Sequence, residues 1–303
     1  MTGTDAREAA TDAVPLSGQP AVDGLVDLLD LERLEVELFR GITAAVSMQR
    51  VFGGQVAGQA LVAAGRTVEP DRPVHSLHAY FLRPGDPTIP IVYQVDRIRD
   101  GRSFTTRRVV AIQHGKPIFN LSASFQVVEE PFIEHAEPMP DVPGPDDLPT
   151  FDEMVAPVRD RIGPWAWLPR PIDRRYVGES PWDRSGTPDG QAHSTLWMRA
   201  DGRLPDDQLL HVCALTYASD MTLLDAAVVR HGMSFGRDRI QAASLDHAMW
   251  FHRPFRADEW FLYDCESPSA SNARGFCLGR IWSRDGQHIA TVAQEGLLRR
   301  ARD

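Results

Sequence analysis

The chain has 303 residues, 43% hydrophobic and 24% charged, an ordinary globular composition long enough for two domains of common size. A formal net charge of −10 excludes the broad basic surface that non-specific nucleic-acid binding needs, so any polyanionic ligand must meet a local Arg or Lys cluster. Three cysteines, Cys213, Cys265 and Cys277, are odd in number and lack CxxC spacing, which reads as buried, reduced thiols in a cytoplasmic protein.

In chain order, residues 1–24 form an acidic stretch of small residues without an apolar core, expected to be a disordered tail rather than a signal peptide. Apolar runs elsewhere are too short to span a bilayer, so no stable membrane insertion is expected. An N-terminal domain over 25–129 opens with an alternating strand near Leu34 to Phe39. VFGGQVAGQALVAAGRTV follows, whose small and apolar residues suit a buried helix. Four strand-like runs come next, HSLHAYFLRPGDP, IVYQVDRIRDG, SFTTRRVVAIQHG and KPIFNLSASFQVV, separated by Gly, Pro and Asp turn signals.

Residues 130–164 are acidic and proline-rich, a composition that continues neither sheet nor helix and predicts a linker crossing the surface. A C-terminal domain over 165–303 begins with PWAWLPRPIDRRYV, whose two tryptophans are expected to pack back onto it. The order then repeats: STLWMRA as strand, LLHVCALTYASDMTLLDAAVVRHG as one long helix, and SLDHAMWFHRPF, EWFLYDCES, ARGFCLGRIWSRDG and QHIATVAQEGLLR as strands.

Two anchors support a duplication. Phe81-Leu82-Arg83-Pro84 matches Phe251-His252-Arg253-Pro254 at an offset of 170, and the turn glycine Gly115 matches Gly286 at 171. A helix followed by an antiparallel meander lets the sheet bury one face on the helix. The predicted class is therefore α+β, a double hotdog: two tandem repeats of an antiparallel sheet wrapped around a long helix.

Asp220 is the sharpest anomaly. Leu210, Cys213, Ala214, Tyr217, Met221 and Leu224 make a stripe at helical spacing, and Asp220 falls on it. A carboxylate facing an apolar interior needs partners or a shifted pKa, whereas an Asp beside Ser219 also suits a helix end. Gln294 shares a strand face with Ala290 and Val292, and a buried amide there would need hydrogen-bond partners; a strand-end Gln reaching solvent is the default. Ser244 alone reads as a turn residue. His75, His78, His247 and His252 lie in apolar strand contexts, where a hydrogen-bonded structural role is the default.

Gly232-Met233-Ser234-Phe235-Gly236 matches the G-x-S-x-G nucleophile elbow, but a helix ends before it and a polar loop follows, the reverse of the required context. No phosphate-binding loop, dinucleotide fingerprint or metal-ligand spacing occurs, so no cofactor and no metal are expected.

RVFGGQVAGQALVAAGRTV, VHSLHAYFLRPGDP, DGRSFTTRRVVAIQHGKPIFNLSASFQ, YASDMTLL, SLDHAMWFHRPFRADEWFLYDCESPSASNARGF and VAQEGLLR carry a resemblance to the acyl-CoA thioesterase II (TesB-like) family. It runs from about Asp27 to Arg300 and weakens in the linker. The resemblance implies acyl-CoA substrates, assembly as a homo-oligomer of two or more subunits, and a catalytic set of Asp, Ser or Thr, and Gln at Asp220, Ser244 and Gln294. Water held by these three would attack the thioester. Gly53 and Gly54 before the first helix would let a ligand approach the backbone, with turn glycines as the equal alternative. Arg102, Arg107, Arg108 and Arg274, after hairpin turns, are candidate contacts for CoA phosphates.

Aligning the two helices at an offset of 165 places Gln55 opposite Asp220, and an offset of 171 places Ala123 opposite Gln294. The N-terminal repeat is then expected to lack a second site, with Gln55 lending a hydrogen bond to the pocket. The competing readings are a hotdog enoyl-CoA hydratase, which would pair Asp with His, and a non-catalytic acyl-CoA scaffold, which would not need the three residues together.

Overall fold

The computed structural model describes residues 15–43, 49–162, 168–179, 181–182, 193–235 and 238–301. Trp165, Trp167 and Gly236 lie outside the described residues. The N-terminal half runs α1 (Gln19–Leu29), β1 (Glu32–Glu35), β2 (Leu38–Gly41), α2 (Gly53–Gly65), β3 (Val74–Phe81), β4 (Ile91–Asp100), β5 (Phe104–Gln113) and β6 (Lys116–Gln126). The stretch assigned to the linker contains α3 (Phe151–Val155) and α4 (Arg159–Ile162), and after it come β7 (Ile172–Tyr176), β8 (His193–Ala200), α5 (Gln208–Ser219), α6 (Asp225–Val229), β9 (Ile240–Ser244), β10 (Asp246–Phe251), β11 (Phe261–Ser271), β12 (Arg274–Ser283) and β13 (His288–Arg300).

The described strands form one antiparallel sheet in the order β1-β2-β4-β5-β6-β3-β10-β13-β12-β11-β8-β7, with β9 added on β13. The order is a palindrome of the duplication: β2-β4-β5-β6-β3 on one side answers β8-β11-β12-β13-β10 on the other. The two half-sheets join edge to edge through β3 and β10, where Leu77 lies opposite Met249. Pairing removes the open edge each half would otherwise expose. Local turn chemistry fixes the hairpins: His114 and Gly115 both have positive φ between β5 and β6, as do Asn272 and Ala273 between β11 and β12.

Inside the curved sheet, α2 and α5 pack antiparallel. A Cβ on Gly58 would meet the Cys213 carbonyl at 3.2 Å, and one on Gly65 would meet Leu209 Cδ2 at 2.5 Å, so small residues set the closeness of the two backbones. Every residue of α2 from Gly54 to Ala64 is buried. Its one deeply buried amide, Gln59, donates to the Leu28 and Ile42 carbonyls at 2.6 and 2.9 Å and accepts from the Tyr93 hydroxyl at 2.6 Å.

Four expectations change. The stretch assigned to a tail reaches into α1, which buries Ala21, Val22, Leu25, Leu28 and Leu29 at amphipathic spacing. The single strand expected near Leu34 to Phe39 is a hairpin of β1 and β2. The long C-terminal helix is interrupted: α5 ends at Ser219, Asp220 caps it, and helix resumes at Asp225. The linker, expected to continue neither sheet nor helix, also departs from its reading: a Thr150–Glu153 capping box opens α3, and α4 follows. Trp197 and Trp282 donate their indole N–H groups to the Pro143 and Glu137 carbonyls, and Met139, Val142 and Leu148 cover the apolar cluster of Trp197, Trp260, Leu262 and Trp282.

Candidate active site

α5 ends at Ser219, and Asp220 follows as its half-buried C-cap, still with αR backbone angles. Because α2 and α5 are antiparallel, the C-terminal end of α5 meets the first turn of α2. A Cβ on Gly53 would lie 2.6 Å from Asp220 Oδ2 and 2.8 Å from the Phe81 ring. A Cβ on Gly54 would strike the Tyr217 carbonyl and the Phe52 ring. Both glycines are therefore required by close approach, but of protein atoms, Asp220, Phe81, Tyr217 and Phe52, rather than of the ligand the sequence reading had in view.

Ser244 and Gln294 reach the same carboxylate from the sheet. Ser244 ends β9, opposite Gly296 of β13, and its Oγ donates to Asp220 Oδ1 at 2.8 Å. Gln294 lies on β13, its side chain 1% exposed, and its Nε2 donates to the same Oδ1 at 2.7 Å. The chain bends at Leu245 between β9 and β10, with Leu245 N donating to the Glu295 carbonyl, and this sets Ser244 over the end of α5. Three residues 24 and 50 positions apart thus converge on one oxygen, while Oδ2 stays on the side of α2. Arg50, just ahead of α2 in the N-terminal half, ties the two halves here by donating to the Ala242 carbonyl at 2.6 Å.

The remaining expected residues divide. Gln55 is buried in the first turn of α2 and donates to the Ile42 carbonyl at 3.2 Å, within its own half. Asp220 is the C-cap of α5, and helix resumes in α6, whose C-cap Arg230 stands 164 positions after Arg66, the C-cap of α2. α2 itself contains no carboxylate, Gln55 included. Arg107 is 1% exposed and spends its guanidinium on Asp100, Thr67 Oγ1 and the Thr67 carbonyl, so it is a core residue and no phosphate contact. Arg108, one step along the strand, faces outward and pairs with Asp96. Arg102 is exposed at the β4–β5 turn. Arg274 pairs with Glu295 at 2.7 Å. Among the described residues no hydrogen bond or ion pair links any of these four to Asp220, Ser244 or Gln294.

Sequence reasoning assigned His247 only a default structural role. It is fully buried behind the site, with Nε2 at 2.8 Å from Ser219 Oγ. Burial holds its ring below the usual imidazole range, against the opposing pull of Asp220, Gln294 and Asp246. Alternation along β10 carries the signal: His247 and Met249 share the buried face.

Two helices side by side within one curved antiparallel sheet define a double-hotdog protein. A solved protein with a hot dog fold from Alicyclobacillus acidocaldarius, 23% identical, shares this architecture over 92% of this chain and 99% of its own, with a TM-score of 0.74. The chain belongs to the acyl-CoA thioesterase family: a family model described as acyl-CoA thioesterase matches residues 172–297, and one described as the acyl-CoA thioesterase N-terminal domain matches 42–126. It is 42% identical to acyl-coenzyme A thioesterase 8 of Homo sapiens, covering 90% of this chain and 88% of that one. It is 39% identical to acyl-CoA thioesterase 2 of Haemophilus influenzae, covering 92% and 98%. The crystal structure of the acyl-CoA thioesterase II TesB2 from Mycobacterium marinum is 46% identical and superposes with a TM-score of 0.74 over 91% of this chain and 98% of that one.

Proposed function

We propose that the protein hydrolyses acyl-CoA thioesters to the free acid and CoA by direct attack of water held at Asp220. The observation that carries the reading is the convergence of Ser244 Oγ and Gln294 Nε2 on Asp220 Oδ1, at 2.8 and 2.7 Å. Two donors on one oxygen orient the carboxylate and leave Oδ2 to accept a proton. Water loses that proton to Asp220 as its oxygen attacks the thioester carbonyl carbon; the C–S bond breaks, and the proton passes on to the departing thiolate. Ser244 orients rather than attacks: its hydroxyl hydrogen is donated to Asp220 and no histidine is bonded to it. Backbone N–H groups at the start of α2, beside Gly53 and Gly54, supply the donors that a developing oxyanion needs.

The test is free-thiol release from acyl-CoAs of stepped chain length by the purified full chain, beside Asp220→Asn. The wild type is expected to release CoA and Asp220→Asn to lose about 10³-fold or more in kcat, with its fold intact by circular dichroism. Equal release by both would remove Asp220 from the mechanism. Tight acyl-CoA binding without release at any length would favour a scaffold.

A further inference from the structure

The catalytic oxygen is one end of a longer polar chain that runs into the core. Gln294 uses Nε2 on Asp220, which leaves its Oε1 buried and in need of a donor. His247 uses Nε2 on Ser219, which leaves its Nδ1 buried and equally in need of a partner. Gln294 Oε1 and His247 Nδ1 are thus two buried, unpartnered atoms on neighbouring side chains, and Gln294 acts on the His247 ring as an acceptor does, opposing the effect of burial. The two residues lie directly across from each other, one step beyond the register pair Ala248–Ala293 of β10 and β13.

Tautomer logic gives this chain a direction. Oε1 is only an acceptor, so the ring nitrogen that satisfies it must carry hydrogen, which places the proton of the neutral ring on Nδ1. Nε2 then accepts, and Ser219 Oγ is the donor 2.8 Å away. The reverse arrangement, with Nε2–H donating to Ser219 and Ser219 to the Thr216 carbonyl at 3.0 Å, leaves Oε1 buried without a donor.

We infer that His247 is a positioning residue: its Nδ1–H fixes the Gln294 amide with Oε1 toward the core and Nε2 toward Asp220, and so sets the catalytic carboxylate. The inference rests on the functional reading given above. A flipped amide would present Oε1 to Asp220, acceptor to carboxylate, and lose the bond that holds Oδ1.

The duplication supplies an internal control. On the helix alignment at an offset of 165, Ser219 and Asp220 are answered by Gly54 and Gln55. His247 and Gln294 are answered by Leu77 and Ala123, which lie opposite each other on β3 and β6. The half without the carboxylate also lacks every member of the chain behind it. A histidine kept only to fill the core would have no reason to accompany the site.

The experiment measures kcat and KM for thiol release in His247→Leu, His247→Asn, His247→Gln, Gln294→Ala and the double variant His247→Leu/Gln294→Ala. His247→Leu is expected to lower kcat about 10- to 100-fold with KM unchanged, as a misplaced catalytic group does. His247→Asn, whose amide nitrogen can stand where Nδ1 stood, restores most of that loss; His247→Gln, which reaches only toward Ser219, does not. The double variant is no slower than Gln294→Ala, because both changes remove one interaction. Should His247→Leu fail to fold, Asn against Gln carries the comparison, and Gln equalling or exceeding Asn overturns the inference. So do a wild-type kcat in His247→Leu and multiplied losses in the double variant. An impaired Gln294→Ala beside unimpaired His247 variants defeats this inference alone, whereas a fully active Gln294→Ala defeats the functional reading beneath it.

Discussion

Asp220 and Asp225 lie five positions apart, and their surroundings give them different work. Asp220 sits half-buried with two donors on one oxygen. Asp225 is 6% exposed in the first turn of α6, and burial pushes its carboxyl up to about 7, against the hydrogen bond from the Tyr176 hydroxyl at 3.0 Å and the field of Arg174. Below about pH 4 it is protonated in folded and unfolded chains alike. Between there and about 7 the folded chain keeps a proton that the unfolded chain releases, so stability falls as pH rises across this window and then levels. Asp225→Asn keeps the acceptor for Tyr176 and removes the charge. It is expected to be more stable than the wild type at pH 8, by up to about 4 kcal/mol, and no more stable at pH 4, as thermal melts at the two pH values would show. A wild type equally stable at both, relative to the variant, would contradict this. At this scale much was legible: an Asp on an apolar stripe and a Gln on a buried strand face are anomalies that local periodicity exposes. Arg107 was legible too, since strand alternation puts it on the face of Val109 and Ala111, but the hairpin turn before it suggested an exposed cation.

Among elements, the contact of α2 with the end of α5 matters most, and Gly53 is its narrowest point. Gly53→Ala places a Cβ 2.6 Å from Asp220 Oδ2 and 2.8 Å from the Phe81 ring, so the carboxylate must move. Steady-state kinetics is expected to show kcat reduced about 10- to 100-fold, with far-ultraviolet circular dichroism unchanged. An unaltered kcat would mean that the first turn of α2 does not bound the site. Turn glycines, strand alternation and the small-residue helix made the repeated order of elements readable, because each is a local signal. The break in the second helix was not readable in that way: no Gly or Pro marks it, and it follows from tertiary packing that gives Asp220 its partners on β9 and β13.

For the whole molecule, two halves repeat one scaffold, and the candidate site is built mainly from one of them. The joined sheet and the paired helices are nearly symmetric, yet Asp220, Ser244, Gln294, His247 and Ser219 all belong to the C-terminal half. The N-terminal half completes the site from outside with the start of α2, Phe81 and Arg50. The joining of the halves through β3 and β10 could not be read from sequence, because pairing between distant edges leaves no local mark.

On the proposed mechanism one Asp220-held water attacks the thioester and no acyl-enzyme forms. Intact-protein mass spectrometry after rapid acid quench, with enzyme and acyl-CoA mixed at equal concentration, tests it most directly. Unmodified protein is expected at every time while CoA is released, and unmodified protein in Asp220→Asn as well. An adduct of one acyl group, mapped to Ser244 in either protein, would contradict it.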